Sequence, residues 1–254
     1  MILLLDLGNT NLYVGVYRER KLVCSYRTYA ERTRSSFEFK ESLSQFLIIN
    51  KIDVSLIDGA ILSSVVPSMN NSILEAVELL IGKQCKLVSS SLKSGLAIRI
   101  DNPAELGSDL VCDSIGAIND YNEDCLIVDL GTATKLMYVT KEKVFHGCVI
   151  APGIKISFES MLSSSAQLVD IQIKAPDHVI GKNTSDSMNS GVVFGHVEMI
   201  NGLCKRIAKE AGKPLKKILT GGNSIYVKGL LNDEFIYNDK LIFDGLYDIF
   251  MKNN

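Results

Sequence analysis

The chain has 254 residues, of which 46% are hydrophobic and 22% charged, enough to bury one large core or two smaller ones. Its formal net charge of −2 argues against nucleic acid as the main partner, because a nucleic-acid binder usually presents a concentrated basic face. No stretch approaches the roughly 20 apolar residues that cross a bilayer, and the N-terminal apolar run is too short for a signal peptide. We therefore expect a cytoplasmic protein with no membrane partner.

Strands and helices alternate along the chain, as in α/β lobes. Apolar runs and period-two patterns indicate the strands, and apolar residues at helical spacing indicate the helices. The predicted strands cover residues 2–6, 12–17, 21–28, 58–66, 126–129, 136–140, 144–150 and 218–219, and the predicted helices cover 36–50, 69–81 and 190–211. The second half repeats the scheme of the first, which predicts two similar lobes.

One phrase occurs twice, about half the chain apart: an apolar run leads into Asp6-Leu7-Gly8-Asn9-Thr10-Asn11, and another into Asp129-Leu130-Gly131-Thr132-Ala133-Thr134. Each predicts a buried strand that ends in a turn, where N–H groups and hydroxyls suit phosphate oxygens and the Asp suits a metal ion or its water. A plain strand end explains one copy well and two copies poorly. We expect two lobes that grip one polyphosphate, the layout of an actin-like phosphotransferase.

The six cysteines are scattered, and no two form a CxxC pair. Most stand among apolar neighbours, so we expect reduced core side chains and no zinc site. The three histidines, His146, His178 and His196, are isolated in sequence, and we expect ordinary surface or core roles for them.

Further motifs follow in order from Asp6 to about Leu246. They are Ser63-Ser64-Val65-Val66-Pro67, Asp101-Asn102-Pro103, Glu105-Leu106-Gly107 with Asp109, Ala151-Pro152-Gly153, Gly181 with Asn183-Thr184, Ser190-Gly191 with Gly195, Thr220-Gly221-Gly222 and Gly245-Leu246. With these motifs the chain resembles the type III pantothenate kinases of the actin/hexokinase/Hsp70 superfamily. The resemblance implies two actin-like (ribonuclease H-like) α/β lobes from an internal duplication, residues 1–115 and 116–254, with mixed sheets flanked by helices.

The resemblance also implies an activity and an assembly. The reaction is ATP-dependent phosphorylation of pantothenate to 4′-phosphopantothenate, the first step of coenzyme A synthesis. Such a transfer needs positioning, charge neutralisation and a group that receives the proton of the nucleophile. The family implies Mg²⁺, a monovalent cation (K⁺ or NH4⁺), and a homodimer whose interface completes the pantothenate site.

Residue roles follow from the same resemblance. Asp109 is implied as the general base for the pantothenate hydroxyl; its position also suits a helix N-cap, and both can hold. The residues implied to bind ATP are Asp6, Gly8, Asn9, Thr10, Asn11, Gly131, Thr132, Thr134, Gly221 and Gly222. Those implied to bind pantothenate are Gly107, Ser108, Asp109, Gly153 and Thr184, and those implied to bind the metal are Asp6 and Asp129. Gly221-Gly222 also suits a plain turn, and Thr184 a loop hydroxyl.

Three positions depart from the family pattern. Leu110 stands where the family usually has Arg, whose fork of donors suits carboxylate or phosphate, and Ile100 stands where it usually has Tyr. Lys135 follows the second phosphate motif, where Thr is usual. We expect its ammonium to replace the monovalent cation, the alternative being a strand residue that points to solvent. These departures leave open a kinase for another small hydroxylated substrate, or a non-catalytic nucleotide or metabolite binder.

Overall fold

The computed structural model describes residues 1–163, 171–232 and 234–254. The chain forms two compact units. The first unit comprises Met1–Leu96, Asp101–Asn119 and Lys240–Asn254, and the second comprises Ala97–Ile100 and Asp120–Asp239. No helix in the described part of the chain combines the length and apolar character needed to span a membrane.

The sheet of the first unit has five strands in the order β3-β2-β1-β4-β5. The strands are β1 (Ile2–Leu7), β2 (Asn11–Arg18), β3 (Lys21–Tyr29), β4 (Gly59–Ser64) and β5 (Cys85–Leu87). The predicted meander is confirmed, since β1, β2 and β3 pair antiparallel, whereas β4 lies parallel to β1. Parallel pairing brings the carboxyl ends of β1 and β4 to the same edge, next to the first predicted phosphate turn.

Helices cover both faces of this sheet. They are α1 (Ser36–Ile49), α2 (Pro67–Ile81), α3 (Ser108–Tyr121, in the first unit up to Asn119) and α6 (Leu241–Lys252). A capping box between Ser35 and Glu38 begins α1, and Pro67 at the first helical position begins α2. Helices α1 and α2 pack with β1, β2 and β4 in one apolar cluster. Helices α3 and α6 contribute to the other, which includes Leu4 and Phe243.

Helices α3 and α6 approach each other at two glycines. A Cβ at Gly116 would lie 2.5 Å from the carbonyl oxygen of Leu241, and one at Gly245 would lie 1.8 Å from that of Cys112. Both obstacles are backbone atoms, which cannot rotate away as a side chain can. The glycines therefore set the distance between the two helices, and α3 is the helix that carries Asp109.

We expect Gly245→Ala to lower the free energy of unfolding by about 2–3 kcal/mol, because the methyl group has to push the two helix backbones apart. Chemical denaturation monitored by circular dichroism measures this change. Gly202→Ala is the control, since a Cβ there has no neighbour within 4 Å and alanine favours a helix. Equal stability of the two variants would show that the close approach is not required.

The second unit repeats the strand order of the first and adds one strand. Its sheet runs β11-β10-β7-β8-β9-β6, so that β9-β8-β7-β10-β11 corresponds to β3-β2-β1-β4-β5. The strands are β6 (Ala97–Ile98), β7 (Cys125–Leu130), β8 (Ala133–Thr140), β9 (Val144–Pro152), β10 (Lys216–Thr220) and β11 (Phe235–Tyr237). The predicted α/β fold with two mixed sheets is confirmed.

Two helices, α4 (Ile154–Ser163) and α5 (Thr184–Ala211), pack with this sheet in one apolar cluster. Helix α5 begins six residues before the predicted start at Ser190. The Asn183 side chain accepts a hydrogen bond from the backbone N–H of Asp186 and caps the first turn, so a polar segment is helical without an apolar pattern.

All six cysteines lie in the described ranges, and none of them forms a disulfide bond. Cys112, Cys125 and Cys204 are buried, as expected for core residues, and burial raises the pKa of the Cys125 thiol to about 12. Cys148, in contrast, is exposed on β9.

Candidate functional site

The first predicted phosphate turn joins β1 to β2. The backbone N–H of Gly8 donates to the carbonyl oxygen of Asn11 at 2.9 Å and closes the turn. Asn9 and Thr10 lie at its tip with exposed side chains, and Asp6 is partly buried near the end of β1. The turn therefore offers an amide and a hydroxyl to a ligand from one short segment.

Serine hydroxyls connect the start of α3 to the end of β4. The Ser108 Oγ donates to the carbonyl oxygen of Ser64 at 3.0 Å and accepts from the N–H of Ser64 at 2.9 Å. It also lies 3.0 Å from the Ser63 Oγ, and Ser63 is the register partner of Asp6 in the β1–β4 pair. The Ser108 hydroxyl thus ties the first turn of α3, which carries Asp109, to the end of β4, and the predicted contact of Ser108 with substrate stays a prediction.

Three carboxylates of the first unit lie near Cys112. Burial raises the pKa of the Cys112 thiol well above its usual value, and the charges of Asp6, Asp113 and Asp109 raise it further. The structure thus brings the predicted residues Asp6 and Asp109 into one neighbourhood. Asp113, which is 3% exposed, was not predicted. Its spacing of four from Asp109 places both on one helix face and was the available sequence signal.

Asp109 lies in the first turn of α3, which begins at Ser108. It is therefore inside the helix and does not occupy the N-cap position that the sequence also suited. Its Oδ1 accepts a hydrogen bond from the N–H of Leu110 at 2.9 Å. A Cβ at Gly107 would lie 2.5 Å from the same Oδ1, so the carboxylate packs where a side chain at 107 would be. Leu110 is buried at 8% exposure and offers no donor in place of Arg.

Three sequence motifs meet around the turn after β7 in the second unit. The Asn223 Nδ2 donates to the carbonyl oxygen of Gly131 at 2.6 Å. A Cβ at Gly153 would lie 2.1 Å from the carbonyl oxygen of Thr132, and one at Gly221 would lie 2.6 Å from the backbone of Leu130. The turn is therefore held between the segment after β9 and the segment after β10. Asn223 was not predicted.

We expect Gly153→Ala to weaken MgATP binding about tenfold, or ~1.4 kcal/mol, because the added methyl displaces the Thr132 carbonyl and with it the turn. Isothermal titration calorimetry measures the dissociation constant. Gly195→Ala is the control, because a Cβ there meets nothing within 4 Å. An unchanged dissociation constant in folded Gly153→Ala would remove this turn from the nucleotide site.

Asp129 and Lys135 form an ion pair beside this turn. They are register partners on β7 and β8, and the Lys135 Nζ lies 2.8 Å from the Asp129 Oδ2. Their side chains are 15% exposed for Lys135 and 12% exposed for Asp129. The alternative that Lys135 points to solvent is therefore wrong. The Oδ2 of Asp129 is paired with the Lys135 ammonium, and the role of Asp129 as a metal ligand stays a prediction.

Thr134 lies on the opposite face of β8 from Lys135, since neighbouring strand residues alternate. Its side chain is fully buried, and its Oγ1 lies 2.7 Å from the Nε2 of His196 on α5. A direct phosphate contact from Thr134 was predicted, but a buried hydroxyl engaged with a helix cannot provide one. Burial lowers the pKa of His196, which favours the neutral imidazole near neutral pH.

The remaining predicted residues of the second unit lie at the ends of its strands and helices. Thr184 is exposed at the first position of α5, directly after the capping Asn183. Ile100 follows β6 and is partly buried. Gly222 begins the 3-10 helix Gly222–Tyr226, which follows β10. Gly221 has a φ of 88°, a backbone conformation that side chains other than hydrogen rarely allow.

Within the described ranges, no three His, Cys, Asp or Glu side chains converge on a point where they could hold a metal ion. A site built from one carboxylate remains compatible with Mg²⁺, which keeps several waters and binds through one or two carboxylates together with substrate phosphates. Asp6, beside the exposed turn at Asn9 and Thr10, fits that description.

The paired sheets and their turns form a fold that solved structures of other proteins share. Solved structures with this fold include a candidate 2-dehydro-3-deoxygalactonokinase from Sinorhizobium meliloti, with 12% identity over 98% of both chains and a TM-score of 0.57. A candidate Baf family transcriptional activator from Campylobacter jejuni is 21% identical over 99% of this chain and 98% of the other, with a TM-score of 0.60. The family model Type III pantothenate kinase matches residues 2–206, and the chain belongs to that family.

Proposed function

We propose that this protein transfers the γ-phosphoryl group of ATP to the primary hydroxyl of pantothenate, giving 4′-phosphopantothenate and ADP. Family membership supports a kinase with a small-molecule substrate. The observation that carries the proposal is the attachment of α3 to β4 through Ser108, because it holds Asp109 in the neighbourhood of Asp6. A base and a metal-binding carboxylate near each other are what phosphoryl transfer to an alcohol requires.

Asp109 acts as the general base. As the hydroxyl oxygen bonds to the γ-phosphorus, its proton passes to the Asp109 carboxylate, and the bond from the γ-phosphorus to the bridging oxygen of ADP breaks. A primary alcohol is a weak nucleophile until its proton is being removed, so a positioned carboxylate lowers the barrier. The close contact between Gly107 and the Asp109 Oδ1 limits the positions that the carboxylate can take.

Each unit offers phosphate-binding groups in a turn of its own. Asn9 and Thr10 contribute exposed polar groups in the first unit, and Gly131 and Thr132 contribute backbone in the second. Asp6 would hold Mg²⁺ or its waters, and the ion would neutralise charge on the phosphates. Gly221 lets the backbone approach closely, which suits a segment beside the nucleoside. As the family resemblance suggests, a cytoplasmic homodimer would complete the pantothenate pocket.

Lys135 supplies the positive charge that the family takes from a monovalent cation. Its ammonium already occupies one oxygen of Asp129, in a place where both side chains are largely buried. A cation fixed by the chain needs no recruitment from solution, so we propose that activity is independent of K⁺.

A second candidate is a kinase for another small hydroxylated acid or amide. Leu110 favours it, because a buried leucine cannot give the charge-assisted bonds that an Arg gives to a carboxylate. If the missing Arg bonds prevented productive binding of every acceptor, the protein would bind nucleotide without turnover.

An ADP-release assay with MgATP and a panel of acceptors separates these functions. The proposal predicts turnover with pantothenate and none with acceptors that lack its primary hydroxyl. Turnover with a different hydroxylated acid or amide would favour the second candidate. Thermal stabilisation by MgATP without turnover on any acceptor would contradict the kinase and indicate a binder.

A further inference from the structure

The hydrogen bond between Thr134 and His196 joins the phosphate turn of the second unit to α5. Thr134 follows Thr132 by two residues, and the N–H of Gly131 donates to the carbonyl oxygen of Ala133 at 3.1 Å. The turn is therefore short and internally bonded, and a residue that fixes Thr134 also restrains Thr132. His196 lies in the middle of α5 and is 6% exposed.

Thr134 and His196 lie on elements whose buried apolar residues form one core cluster. Leu130, Leu136, Val192, Val193 and Val197 belong to the same core cluster, and they offer a hydroxyl or an imidazole no side-chain partner. Burying a polar group without a hydrogen bond raises the free energy of the folded state. The hydroxyl of Thr134 and the imidazole of His196 are therefore held in the one arrangement that bonds them to each other. Apolar side chains would fill the same space, but their contacts have no preferred direction and would not fix the position of residue 134 in the same way.

The geometry points to His196 as a positioning residue for nucleotide binding. It holds Thr134, and through Thr134 it sets where the backbone of Gly131 and Thr132 meets the phosphates. Gly153 and Asn223 restrain the turn from other segments, and His196 restrains it from α5. This inference rests on the proposed nucleotide site but not on the identity of the acceptor.

Four variants and one control test this role. His196→Leu and Thr134→Val each remove the bond with a similar volume, and the double variant combines them. His196→Gln keeps a polar nitrogen and oxygen at a comparable distance from the helix backbone. Ile200→Val is the control. Ile200 is fully buried one turn further along α5, so the substitution lowers stability while the bond between Thr134 and His196 stays in place.

Calorimetric titration with MgATP is the main readout. We expect His196→Leu and Thr134→Val each to weaken binding about tenfold, with no further loss in the double variant, because both remove one interaction. His196→Gln should stay within about threefold of wild type, and Ile200→Val should bind as wild type despite a lower melting temperature.

A merely structural bond would give a different pattern. Wild-type affinity in folded His196→Leu and Thr134→Val would overturn the inference, as would a loss in Ile200→Val as large as theirs. Failure of the proposed acceptor is seen separately, as normal MgATP binding by the wild type without turnover of pantothenate, and it leaves the inference intact.

Discussion

Asp109→Asn is expected to lower kcat for pantothenate by roughly 10²- to 10⁴-fold, the usual contribution of a general base. Asparagine has nearly the same shape and can still accept the hydrogen bond from Leu110 N–H, so α3 and its link to β4 should persist. It cannot take up the hydroxyl proton. The affinity for MgATP should remain close to that of the wild type, which calorimetry measures beside the steady-state rate.

Asp248→Asn is the matched control for this variant. Asp248 lies in the same unit on α6, where Arg20 donates to its Oδ1 and Oδ2 at 2.9 Å each. The same chemical change there should leave kcat unaltered. If Asp109→Asn kept kcat within about threefold of wild type, the base would lie elsewhere. Asp113, the buried carboxylate one turn further along α3, would be tested next.

Lys135→Thr is expected to make the protein dependent on K⁺. The change leaves Asp129 largely buried without its ammonium, and a largely buried carboxylate needs a counter-charge. In buffer without K⁺ we expect activity about 10- to 100-fold below wild type, and KCl should restore most of it. Wild type should show the same activity with and without K⁺.

Melting temperatures provide a readout that does not depend on turnover. KCl should raise the melting temperature of Lys135→Thr more than LiCl of equal ionic strength, whereas the wild type should respond equally to both salts. Lys135→Arg keeps a cation at the position and should behave as the wild type. An equal K⁺ requirement in wild type and Lys135→Thr would contradict the built-in cation.

The two turns after β1 and β7 could be predicted from the sequence, because each follows a run of apolar residues and contains Gly with a hydroxyl or amide residue. The contact between Asp129 and Lys135 could also have been predicted from the sequence. The turn at 131–132 joins antiparallel strands, and a hairpin register that pairs Leu130 with Thr134 also pairs Asp129 with Lys135. The same alternation puts Thr134 on the other face.

Other features depend on tertiary packing, which leaves no local pattern. His196 reaches Thr134 only because α5 lies on that face of the sheet, and Asn223 reaches Gly131 only because β10 lies beside β7. The early start of α5 is set by the Asn183 cap rather than by apolar spacing. In each case the residue that fixes the feature is either distant in sequence from its partner or polar, so no pattern of apolar residues marks it.

The most direct test is ³¹P NMR of the wild-type protein with MgATP and pantothenate in K⁺-free buffer. We predict a new phosphomonoester resonance that grows as the γ-phosphate signal of ATP declines, coupled to the methylene protons of the former hydroxyl carbon and absent with Asp109→Asn. Unchanged ATP resonances, or inorganic phosphate as the only product, would contradict the proposed pantothenate kinase.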